Sequence, residues 1–126
     1  MEYETILGQV VAKANHYQAV PNKDGTRRII KDSKIRNYEK SFCLQCRKYR
    51  HKRINYPMRI FIKVWFIHNN FDLDNSIKTI LDCLQYCNAI TNDNLVVEIV
   101  AQKFISAKNP RVEFAIEEIQ PKLFED

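Results

Sequence analysis

Two carboxylates one residue apart, in Phe71-Asp72-Leu73-Asp74-Asn75, and a third in Asn92-Asp93 are the residues of this chain best suited to chemistry. If the backbone is still extended at Asp72 and Asp74, period-2 alternation points both acids the same way. Two carboxylates sharing one space repel unless a divalent cation lies between them, and hard oxygen ligands favour Mg²⁺, with Mn²⁺ also possible. Asp93 is the natural third ligand, and Lys78 follows Asp74 at helical spacing. Asp74 also has plainer readings, as a helix cap or as the partner of Lys78 in an i,i+4 ion pair, but these leave Asp72 unexplained.

Those acids need elements to carry them. Met58 to Ile67 is almost continuously apolar and β-rich, which predicts a central strand covered on both faces, with Trp65 in the core. From Asn75 to Cys87, Ile77, Ile80, Leu81 and Leu84 recur at helical spacing, so Asp72 and Asp74 fall where a strand gives way to a helix. Upstream, Thr5 to Ala14 reads as a first strand, Pro21 to Gly25 as a turn, and Arg27 to Lys31 as a short basic return strand. A helix capped by Asp32 or Ser33 is expected from Lys34 to Lys52, with Ile35, Tyr38, Phe42, Cys46 and Tyr49 facing the core. Leu95 to Ser106 and Arg111 to Ile119 read as two closing strands. The expected fold is α/β (α+β): a small mixed sheet of about four to five strands with two main helices, in one domain over residues 1–126.

The net charge of +5 hides an asymmetry, because residues 1–60 hold 14 Lys/Arg against 5 Asp/Glu while residues 61–126 hold 6 against 10. A basic half beside an acidic half suits a protein that grips a polyanion and presents carboxylates to it, although a charge run can equally be a solvated face. Arg36, Lys40, Arg47 and Arg50 would form a second stripe about 125° around the first helix, and Arg27 and Arg28 would sit on the hairpin; all six are candidate DNA contacts. Cys43/Cys46 and Cys83/Cys87 have spacings found in zinc sites, but both pairs fall within expected helices and read better as reduced helix residues. No apolar run approaches the roughly 20 residues that cross a bilayer, and Met1-Glu-Tyr-Glu does not resemble a secretory leader. The expectation is a cytoplasmic protein without a membrane partner.

Two acidic motifs of other proteins fit less well. A calcium-binding EF-hand loop would need Gly and Glu where this chain has Ile77 and Cys83. Phe-Asp-Leu-Asp-Asn is similar to the first motif of haloacid dehalogenase-type phosphatases, but that fold needs a longer chain and a second acidic pair far downstream. A closer resemblance is to the RusA family of Holliday junction endodeoxyribonucleases, across Asp72-Leu-Asp-Asn75, Lys78, Leu81-Asp82-Cys83-Leu84, and Asn92-Asp93 followed by Val96-Val97. That resemblance implies a RusA-like fold and a homodimeric, Mg²⁺-dependent nuclease acting on four-way DNA junctions in recombination and repair, in the nucleoid or in the cytoplasm of a phage-infected cell, with no small-molecule substrate. Asp72, Asp74 and Asp93 would then bind metal, and Lys78 would be the basic residue that the family needs for catalysis. A looser likeness near the end of the first strand makes Lys13 and Asn15 candidate DNA contacts. The rival is a DNA-binding or architectural protein whose acids are structural.

Overall fold

The computed structural model describes residues 1–12, 17–31 and 33–119. Its organising strand is β4, Met58–Phe66; the others are β1 (Glu4–Leu7), β2 (Tyr17–Pro21), β3 (Arg27–Lys31), β5 (Val96–Ile105) and β6 (Arg111–Glu118), with helices α1 (Ser33–Gln45) and α2 (Leu73–Tyr86). The main sheet is ordered β1-β6-β4-β5, and β2 and β3 form a separate antiparallel pair. β4 is antiparallel to β6 and parallel to β5, from Met58 opposite Val96 to Phe66 opposite Ile105. Parallel neighbours require a crossover, and α2 supplies it. The fold is therefore the mixed α+β arrangement expected, with two helices and a four-stranded mixed sheet.

One face of β4 makes the core. Met58, Ile60, Ile62, Val64 and Phe66 are buried together with Ile80, Cys83 and Leu84 of α2 and with Tyr38, Phe42 and Phe114. Phe42 of α1 stacks on Phe114 of β6 with ring centres 5.6 Å apart. The apolar stripes of both helices thus meet the same sheet face, as helical spacing requires. Thr79 is buried on α2 and donates its hydroxyl to the Val11 carbonyl at 2.7 Å, fastening the N-terminal segment to the crossover helix.

The return strand and the two closing strands lie where expected, but four other features differ. The first strand stops at Leu7 rather than Ala14: Gly8 turns out at φ +107, and its amide donates to Pro110 O at 2.9 Å. Arg27–Lys31 accordingly pairs with Tyr17–Pro21, a second strand of its own. The first helix stops at Gln45 rather than Lys52, because the following chain is needed elsewhere. His51, Arg53 and Ile54 donate their amides to Cys87, Asn88 and Ala89, and Thr91 donates back to Ile54, with His51 and Arg53 at positive φ. Tertiary pairing overrides helix propensity there, although Cys46 and Tyr49 stay buried as the stripe predicted. Finally, β4 is fully covered on one face only. Arg59, Phe61, Lys63 and Trp65 alternate on a half-exposed outer face, where Trp65 stacks on Phe104 at 4.8 Å under the Arg111 guanidinium, 3.8 Å from its ring centre. Trp65 is therefore not a core residue.

Candidate functional site

Asp72 is the N-cap of α2, with φ −93 and ψ 131. An aspartate there ordinarily accepts from the free amides of the first turn, which stabilises a helix by about 1 kcal/mol. Asp72 makes no such bond, and its side chain is exposed. Ser76 donates its hydroxyl to Asp72 O at 3.0 Å, a bond to the carbonyl that does not replace the missing acceptor for the first-turn amides. Asp74 is exposed in the first helical turn, and among the described residues no ion pair joins it to the exposed Lys78. Because the helix begins at Leu73, period-2 alternation does not carry across to Asp74. The two acids instead flank the positive end of the α2 dipole, which favours negative charge.

The loop that delivers Asp72 is held by a residue the sequence did not single out. Lys103 on β5 donates its ammonium to Phe71 O at 2.6 Å and Asn69 O at 3.1 Å, with its charge 5.6 Å from the centre of the Phe66 ring. Phe71 stacks on Phe66 at 5.4 Å and on His68 at 4.8 Å. His68 therefore packs within the loop and accepts the Asn70 amide through Nδ1 at 3.2 Å. Only the pairing of β4 with β5 reveals Lys103, because 31 residues separate it from Asp72 in the chain.

Asp93 opens a short 3-10 turn, Asp93–Leu95, capped by Asn92, whose side chain accepts the Asn94 amide at 2.9 Å. The Asp93 amide donates to the Gln85 side chain at 3.3 Å. Gln85 lies in the last turn of α2, whereas Asp74 lies in the first, a separation of roughly 16 Å along the axis at 1.5 Å per residue. The crossover therefore leaves Asp72 and Asp74 at the C-terminal end of β4 and Asp93 beside the start of β5. Among the described residues no group of three or more His, Cys, Asp or Glu side chains is gathered in a way that could hold a metal ion. The donor chemistry is nevertheless that of Mg²⁺ or Mn²⁺: exposed carboxylate oxygens, with Asp72 and Asp74 one residue apart at the start of α2.

The basic candidates are dispersed. Arg27 and Arg28 are exposed on β3, and Arg36 and Lys40 on α1. Arg47 is exposed in the turn beyond the helix end, while Arg50 is half-buried and donates to Cys43 O at 3.2 Å. The continuous four-residue stripe is therefore broken at Gln45. Lys13 and Asn15 lie outside the described residues. Cys46, Cys83 and Cys87 are free and buried, and Cys43 is free and half-buried. The hydrogen bond with Cys87, and then burial, holds the Cys46 thiol above its ordinary range.

Acids exposed at a helix start, together with exposed cations along α1 and the β2–β3 hairpin, define a candidate polyanion-processing enzyme. The family described as Endodeoxyribonuclease RusA matches residues 8–117, and the chain belongs to that family. It is accordingly an endodeoxyribonuclease, a hydrolase of phosphodiester bonds, and membership implies resolution of Holliday junctions. Nucleases of this kind generally use a divalent metal. No curated protein matches the chain.

Proposed function

We propose that the chain works as a homodimeric, Mg²⁺-dependent resolvase of four-way DNA junctions, in recombination and repair, as a single domain acting in the cytoplasm. Mn²⁺ is the expected substitute. The observation that carries this reading is Asp72: it occupies a helix cap yet leaves the capping bond unmade, keeping its carboxylate exposed one residue before the exposed Asp74. Asp72, Asp74 and Asp93 would hold the ion, which when bound supplies Lewis-acid polarisation of the scissile phosphate and an acidified water.

The chain's own residues do the rest. The α2 N-terminus favours an anion, and Lys78, one turn further, is placed to offset charge on phosphate or on the leaving oxygen. Lys103 and the stack of Phe66, Phe71 and His68 fix the loop so that Asp72 stays in place. Exposed Arg27, Arg28, Arg36, Lys40 and Arg47 are the expected phosphate contacts, with Arg50 more constrained by its bond to Cys43. Lys13 and Asn15 remain candidate contacts.

The test is incubation with synthetic four-way junctions, flaps, linear duplex and a small phosphomonoester, with and without Mg²⁺. Metal-dependent paired nicks in the junction are expected. Junction binding that never becomes cutting would favour an architectural protein, and hydrolysis of the monoester alone a phosphatase.

A further inference from the structure

The β2–β3 hairpin forms no part of the main sheet, yet the chain that leads into it is fastened on both sides of the acids. Gln9 accepts the Ile67 amide through its side chain at 3.0 Å, and the Val11 carbonyl accepts the Thr79 hydroxyl. Ile67 ends the run that β4 begins, and Thr79 lies in the second turn of α2. Six residues separate Val11 from Tyr17, at most roughly 20 Å of chain, so the base of the hairpin is within reach of DNA lying on Asp72 and Asp74. Its tip is closed by a built turn: Asn22 donates its amide to Thr26 O at 2.7 Å, Gly25 takes φ +88, and the Asp24 carboxylate accepts the Thr26 hydroxyl and amide at 2.6 and 3.0 Å. Those two bonds hold the Asp24 carboxyl below its ordinary range. The single acid of the hairpin is thus engaged in its own turn, against four Lys/Arg in the same fifteen residues.

Alternation gives this ribbon two faces. Val20 and Ile30 are partly covered, whereas Ala19, opposite Ile29, and Pro21, opposite Arg27, share a face on which all four are exposed. Ile29, at 71%, is the most exposed large apolar side chain among the described residues. One exposed isoleucine is ordinary on a surface, but this one follows Arg27 and Arg28 directly on a strand whose net charge calls for a polyanion. Gripping phosphates needs only the cations; a stiff apolar side chain held out among them suits a wedge. From this we infer that the hairpin enters the minor groove of a duplex arm of the DNA, where Ile29 wedges between base pairs and Arg27 and Arg28 hold the flanking phosphates. The inference rests on the DNA nuclease reading and assigns the element that recognises a branch. Apolar wedges accompanied by Arg or Lys part base steps from the minor groove. Parting is easiest where stacking is already interrupted, as beside a branch point, so Ile29 would favour branched over linear DNA without reading any base.

The experiment uses the full chain with EDTA in place of Mg²⁺, so that binding is read without cutting. Synthetic four-way junctions and linear duplex carry 2-aminopurine at successive positions, whose fluorescence rises when stacking is lost. Wild type should raise the emission about twofold or more at one or two positions beside the branch point, and the minor-groove ligand netropsin, added first, should suppress the rise. Ile29→Thr keeps the β-branched shape and the strand preference; it should abolish the rise and reduce the preference for junction over duplex several-fold. Arg27→Ala combined with Arg28→Ala should instead weaken binding to both DNAs alike and flatten the salt dependence by about 0.9 for each phosphate released. Circular dichroism checks that each variant is folded. No rise with wild type, a rise that Ile29→Thr retains, a rise indifferent to netropsin, or an unchanged salt slope in the double variant would each overturn the assignment. Junction cutting with Mg²⁺ is scored separately: wild type that cuts but parts no bases refutes this role of the hairpin alone, whereas wild type that parts bases but never cuts refutes the nuclease reading alone.

Discussion

Asp72 stands where an aspartate usually turns inwards to cap its own helix, and leaving that bond unmade forgoes about 1 kcal/mol of helix stability. Asp72→Asn, Asp74→Asn and Asp93→Asn should each lower junction cleavage by at least the roughly 10–100-fold that even outer partners of a metal ligand cost. Junction affinity should hold or rise, since a negative charge facing phosphate is removed; retained cutting by all three would remove the metal assignment. Asp82 is half-buried and lies two turns beyond Asp74, so Asp82→Asn should have a smaller effect. Lys103→Met is the sharper probe of positioning. With the clamp on Phe71 O and Asn69 O gone, the metal concentration for half-maximal cutting should rise several-fold while junction affinity changes little. A change in thermal stability alone, with the metal titration unmoved, would make Lys103 merely structural.

At the level of elements, α1 contains the one buried polar side-chain atom found without a partner among the described residues, the Tyr38 hydroxyl, whose burial also pushes the phenol pKa up. Leaving such a group unpaired costs about 1–3 kcal/mol, so Tyr38→Phe should raise stability by about 1 kcal/mol, read as a higher midpoint in urea at unchanged slope. Leu84→Ala, which empties a fully buried site on α2, should instead cost about 2–5 kcal/mol. The broken basic stripe changes what a salt titration should find. Replacing Arg36 and Lys40 by alanine should flatten the dependence of log affinity on log salt by about 0.9 for each phosphate that is no longer neutralised, whereas replacing Arg50, tied to Cys43 O, should act partly through stability. Much of this architecture was legible, because periodicity reports local geometry: β4, α2 and the buried stripe of α1 follow directly from apolar spacing. The end of α1 was not, because the bonds from His51, Arg53 and Ile54 to Cys87, Asn88 and Ala89 are made across more than thirty residues. Trp65 misled for the same reason, since its alternate position says which face it is on but not whether anything covers that face.

The candidate site shows the same division at the scale of the whole molecule, because the residue types were readable and their distances were not. Asp72, Asp74 and Asp93 stood out by type, but adjacency to one crossover helix hid the fact that they flank its opposite ends. If the proposed homodimer builds each metal site from Asp72 and Asp74 of one subunit and Asp93 of the other, subunit mixing has an arithmetic that a site within one chain cannot imitate. In a heterodimer of Asp72→Asn with Asp93→Asn, one site carries both substitutions and the other carries neither. Two individually inactive proteins, mixed and allowed to exchange subunits, should therefore recover junction nicking, to at most about a quarter of wild-type site number if exchange is random: half of the dimers are mixed, each with one intact site. The product should be singly nicked junction rather than paired cuts, because only one intact site is present. Mixing Asp72→Asn with Asp74→Asn should recover nothing, since every site then retains a substituted acid from one subunit. Recovery in neither mixture, from variants that still form dimers, would place the three acids' work within single chains and require α2 and the Asp93 turn to rearrange when DNA binds.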